Sequence, residues 1–74
     1  MPIVVHSVEG KEGPRGIEYL SEKFESGKAA SDYIEGLQVK YDLSGFDAPG
    51  CRWWARNQTA DYLINYWWID WPTP

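Results

Sequence analysis

Apolar residues alternate with polar ones at two different periods along this chain, and the changes of period mark its elements. Residues 2–9, PIVVHSVE, form a β-branched run that reads as a strand, and the glycine-punctuated stretch GKEGPRG at 10–16 reads as the loop after it. IEYLSEKF at 17–24 fits either period. As a strand it sets Leu20 and Phe24 against Ile17 and Tyr19, and as a helix Ile17, Leu20 and Phe24 share a face. The hairpin character of the preceding loop favours the strand. Period 3.6 is clearest over 27–42, where Ala30, Tyr33, Ile34, Leu37 and Tyr41 line one face and Lys28, Asp32, Glu35 and Asp42 the other. Ser26 is placed to cap the start of this helix, and Gly45 to end it in a left-handed conformation. Gly36 in the middle costs about 1 kcal/mol against alanine, which implies a close neighbour or a weak helix there.

From Cys51 the period returns to two. CRWWAR at 51–56 and DYLINYWWID at 61–70 flank the polar connector 57–60 and read as a hairpin that Pro72 and Pro74 stop. Alternation puts Cys51, Trp53 and Ala55 on one face, read as core, and Arg52, Trp54 and Arg56 on the other, read as surface. On the second strand Leu63, Trp67, Ile69 and Trp71 oppose Tyr62, Ile64, Tyr66 and Trp68, so neither side is polar enough to face water alone.

Together these elements predict one α+β domain over residues 1–74: a small two-layer unit with a four-stranded, mainly antiparallel sheet and one helix on one face, in the order ββαββ. The alternative order is βααββ. A single helix covers a single face. The opposite face, with Trp54 and its neighbours, is therefore expected to present aromatic rings to something outside the fold.

Length and composition narrow the function. A chain of 74 residues buries only about 60% of its unfolded surface and has a stability of roughly 4 to 11 kcal/mol, with no room for a deep catalytic cavity. Hydrophobic content of 43% with five tryptophans excludes disorder. The single Cys51 excludes an internal disulfide framework, and neither a secretory leader pattern nor a run approaching ~20 apolar residues is present, so a cytoplasmic protein without membrane contact is expected.

The formal net charge is −4, and the acidity lies in the first fifty residues, where nine carboxylates outnumber five basic side chains. Such a surface repels phosphate backbones, so direct nucleic-acid binding is disfavoured and a basic protein partner favoured.

Candidate chemistry is sparse. Cys51 and His6 are the only residues of their kinds, but no third residue is indicated to orient a thiol–imidazole pair. A buried structural cysteine and a hydrogen-bonded strand histidine are the expected roles, with no zinc spacing. Gly10, Gly13 and Gly16 lack the phosphate-loop pattern, and Asn57-Gln58-Thr59 matches a glycosylation acceptor but reads as a turn. Arg52, Trp54 and Arg56 stand out, because tryptophan, tyrosine and arginine dominate protein-interface hot spots.

The expectation is thus a non-enzymatic, acidic interaction module without cofactor or metal. A small bacterial or phage-encoded inhibitor of the anti-defence or antitoxin type, bound to a basic, nucleic-acid-handling protein, is its concrete form, and a homodimer its plainest association. The expected partner-binding residues are Arg52, Trp54, Arg56, Tyr66 and Trp68, with Asp32 and Glu35 steering the encounter. The alternative is an aromatic platform for a sugar or another planar ligand.

Overall fold

The β-branched run near the start of the chain is an inner strand of an antiparallel sheet. A computed structural model describes residues 1–58 and 63–71, with the backbone alone at residues 14, 15 and 17–22. The elements are β1 (Ile3–Gly10), β2 (Gly13–Lys23), α1 (Gly27–Gln38), β3 (Leu43–Asp47), β4 (Arg52–Arg56) and β5 (Ile64–Asp70). In space the strands run β2-β1-β5-β4-β3, and every neighbouring pair is antiparallel. The two-layer α+β architecture with one helix on one face is as the alternation of residues predicts. Of residues 17–24, those up to Lys23 belong to strand β2, and Phe24, just beyond it, donates its N–H to the Pro2 carbonyl.

The sheet has a further strand that the sequence pattern conceals. Leu43–Asp47 forms the edge strand β3, where Ser44-Gly45 reads as punctuation. Gly45 is consequently not the helix cap. The helix stops at Gln38, with Val39 as a right-handed cap, and the N–H groups of Lys40 and Tyr41 close short turns onto Leu37 and Gln38. Gly45 is needed elsewhere: a Cβ there would lie 2.9 Å from Nε1 of Trp54, so only glycine lets that indole lie against the β3 backbone. Gly36, by contrast, faces open space, so neither a neighbour nor packing accounts for it. At the start of the helix the Ser26 hydroxyl accepts from the Ala29 N–H at 3.1 Å, the capping contact its position predicts.

Two other local expectations shift. The loop expected over 10–16 is a tight turn at Lys11-Glu12 closed by the Gly10–Gly13 pair, and Gly13 takes a φ of 118° that a side chain would oppose. Cys51 is exposed rather than core. It ends the turn that precedes β4, at a φ of 51°, with its N–H bonded to the Ala48 carbonyl, so the alternation that would bury it starts one residue later, at Arg52. The expected second strand of the hairpin begins at Ile64; residues 59–62, which hold Thr59 and Tyr62, and residues 72–74, which hold Pro72 and Pro74, lie outside the described part of the chain.

The core lies between α1 and the middle of the sheet. Ala30 and Ile34 of the helix meet Val4, Ala55 and Trp67, all buried, with Leu37, Tyr41, Trp53 and Ile69 packed around them. Full burial of one indole stabilises by roughly 4 kcal/mol or more, so Trp67 alone contributes much of the fold's margin. Gln38 closes the far end. Its Nε2 donates to the Gly45 carbonyl at 3.0 Å and to the Trp54 carbonyl at 2.9 Å, which pins the last helical turn to β3 and β4. Beyond it, the Asp42 N–H donates to Asn57 Oδ1 and the Gln58 N–H to Asp42 Oδ2, so Asp42 belongs to this clasp and not to the helix surface. Among the described residues no helix is long and apolar enough to cross a membrane.

Candidate functional site: the sheet face opposite the helix

Strand register places the site. Trp53 pairs with Trp67 and Ala55 with Asn65 on the helix side, so Trp54, paired with Tyr66 on β5 and Gly45 on β3, faces away from the helix. Arg52 and Arg56 share its side by alternation, and Trp68, opposite Val5, continues the face across β5. Five of the seven predicted partner-binding residues, Arg52, Trp54, Arg56, Tyr66 and Trp68, are therefore brought together on one face. Asp32 and Glu35 are exposed on the helix, which packs on the other side of the sheet, and Asp32 is occupied by Lys28 at 3.0 Å. One flat partner surface cannot engage both groups at once.

This face covers itself. Trp54 and Tyr66 are half-buried rather than open, and Trp54 lies across Gly45. The guanidinium carbon of Arg52 sits 3.8 Å above the centre of the Tyr66 ring, a cation–π stack, so the arginine flanks Tyr66 and not the adjacent indole. Two carboxylates hold it there, Asp47 at 3.4 Å and Glu9 at 4.0 Å. At about one-third exposure these ion pairs contribute less than ~1 kcal/mol each, but they fix the guanidinium flat against the ring. Val5, on the same face, is fully buried although no helix covers it.

Between these groups lies an open depression of about 480 Å³. Leu43, Trp54, Ile64 and Tyr66 line it with apolar surface, and Asp47 and Arg56 add charge of both signs. Sequence reasoning missed Leu43, Asp47 and Glu9, because the edge strand that carries the first two reads as a loop and Glu9 reads as a strand end. Ile64 was legible from its two-residue spacing to Tyr66.

His6 and Cys51 lie elsewhere, His6 on the helix side of β1 and Cys51 in the turn before β4. His6 stacks on Trp67 with ring centres 5.0 Å apart and an interplanar angle of 12°, and its Nε2 is 2.8 Å from Asn65 Oδ1. That is the hydrogen-bonded strand histidine the sequence suggests. Cys51 Sγ lies 3.6 Å from the Ala48 carbonyl oxygen, a weak contact within its own turn. Among the described residues no three His, Cys, Asp or Glu side chains could share a metal ion. No family model, curated protein or solved structure matches the chain.

Proposed function

We propose that this chain is a non-enzymatic interaction module that binds a basic protein through the sheet face carrying Arg52, Trp54, Arg56, Tyr66 and Trp68. The gathering of two arginines and three large rings on the one face that the helix leaves uncovered is the observation that carries this reading. Residues of these types form interface hot spots, and rings already held flat lose little freedom on docking. The net charge of −4 supports a basic partner, drawn in at longer range before the rings engage. An inhibitor or adaptor that occludes a nucleic-acid-handling protein fits both properties.

The test is retention of a host protein by immobilised wild type, Trp54→Ala, Trp68→Ala and the pair Asp32→Lys with Glu35→Lys. Loss of the same retained protein in both tryptophan variants, with their folds intact, supports the reading. Equal retention by all variants rejects it.

A second reading rests on the depression beside Trp54. Its volume, about 480 Å³, falls within the range of small-ligand sites, and an indole backed by the Gly45 backbone can stack on a sugar or planar ring. Saturable quenching of tryptophan fluorescence by a mono- or disaccharide, absent in Trp54→Ala, would favour it.

A further inference from the structure

The two edges of the sheet are built differently. The β2 edge contains Pro14, carries Arg15, Glu18, Glu22 and Lys23, and meets β1 with register shifts between Ile3 and Val5 and between Val8 and Glu9. Proline, charge and bulges are the usual devices that stop one sheet from pairing with another. The β3 edge has neither proline nor bulge and no unpaired charge. LSGFD meets β4 residue for residue without a bulge, and its one charge, Asp47, is engaged by Arg52.

Gln38 reveals which backbone groups of β3 are free. Gly45 and Trp54 are register partners, and a single side-chain nitrogen reaches both of their carbonyl oxygens, so both carbonyls point into the β3–β4 seam. Alternation then turns the N–H and C=O groups of Ser44 and Phe46 to the outer side. Both residues are exposed, Phe46 to 52%.

From this we propose that β3 is a self-pairing edge, through which two copies of the chain join by an antiparallel β3–β3 ladder about a two-fold axis at Gly45. The axis sets Ser44 of each copy opposite Phe46 of the other, so the outward groups of both residues satisfy one another. Gly45 then faces its own copy at the close, non-hydrogen-bonded position, where Cα atoms approach to about 4.5 Å and the missing side chain leaves room for the two Trp54 rings. On the helix side the two Phe46 rings lie diagonally across the axis, within the ~7–8 Å reach of aromatic side chains. This fit to itself, more than hydrogen bonding that any strand could supply, selects a second copy as the occupant. The contact leaves Trp68 free and does not depend on the partner-docking reading.

A five-residue ladder forms a small interface, so the dimer is weak, with a Kd of about 10 µM to 1 mM. Sedimentation velocity across that range, with far-UV circular dichroism to confirm folding, tests it on wild type, Ser44→Pro, Phe46→Lys and Trp68→Ala. Dimerisation weakened tenfold or more in Ser44→Pro and Phe46→Lys and unchanged in Trp68→Ala supports the proposal. Should Ser44→Pro not fold, Phe46→Lys decides alone, and a dimer insensitive to that lysine overturns it. So does a wild type monomeric throughout, or a dimer lost only in Trp68→Ala, which would assign self-association to the aromatic face.

Discussion

The two faces of this sheet solve the same problem with different materials. On one, a helix lays Ala30 and Ile34 over Val4, Ala55 and Trp67 and excludes water from them. On the other, long side chains of β4 bend down onto the strands beside it: Trp54 onto Gly45 of β3, and Arg52 onto Tyr66 of β5 under the hold of two carboxylates. The helix-covered face is a packed interior, where each lost atom leaves a cavity. The self-covered face is a single layer whose outer surface stays available. In the docking proposed above, the half-buried Trp54 uses the side against Gly45 for stability and its outer side for recognition.

Substitution should separate the faces. The largest loss is expected for Trp67→Ala, which removes a ring 3% exposed and should cost about 3 to 5 kcal/mol in urea denaturation, enough to unfold much of a domain this size. A loss under ~1 kcal/mol there would erase the distinction between interior and surface layer. Gln38→Leu comes next, at about 1 to 3 kcal/mol, because it removes a buried donor shared by two carbonyls and releases the edge strand from the helix.

On the self-covered face Trp54→Ala should cost roughly 1 to 2 kcal/mol, clearly less than Trp67→Ala, since the ring is only half-buried. Gly45→Ala should be similarly costly in wild type, where the new methyl meets the indole, and close to neutral in the Trp54→Ala background. A double-mutant cycle measures that coupling, and additivity would mean that the ring does not rest on Gly45. The smallest effect belongs to Asp32→Lys with Glu35→Lys, both exposed: within ~0.5 kcal/mol in stability, with any change confined to the salt-dependent rate of partner association in stopped flow.

The sequence carries the alternation of β4 and β5 plainly, so the separation of Trp53 and Trp67 from Trp54, Tyr66 and Trp68 is readable from spacing alone. It carries the Ser26 cap for the same reason, since the signal is local. The edge strand is less legible: Ser44-Gly45 has the composition of a turn, and only the indole of Trp54, nine residues on, makes glycine the residue a strand needs there. Period two cannot say where a strand starts, so alternation alone extends the core face of β4 back to Cys51, one residue before the strand begins. The grouping of Glu9 and Asp47 around Arg52 depends on which strands are neighbours, and neither residue's own sequence surroundings contain that information.

The central position of β1 and β5 sets the order in which the molecule can assemble. His6 and Asn65, in contact at 2.8 Å, are 59 residues apart in the chain, and the ladder they belong to joins the β1–β2 hairpin to the β3–β4–β5 meander. Each half has only local turns to close, whereas the seam must await the last strand. Nearly the full loop-closure entropy falls on that one step. During synthesis the hairpin and helix therefore emerge while Val4 and Val5 still lack their β5 partners Ile69 and Trp68, and folding should proceed as a single late event, slower than expected for so short a chain.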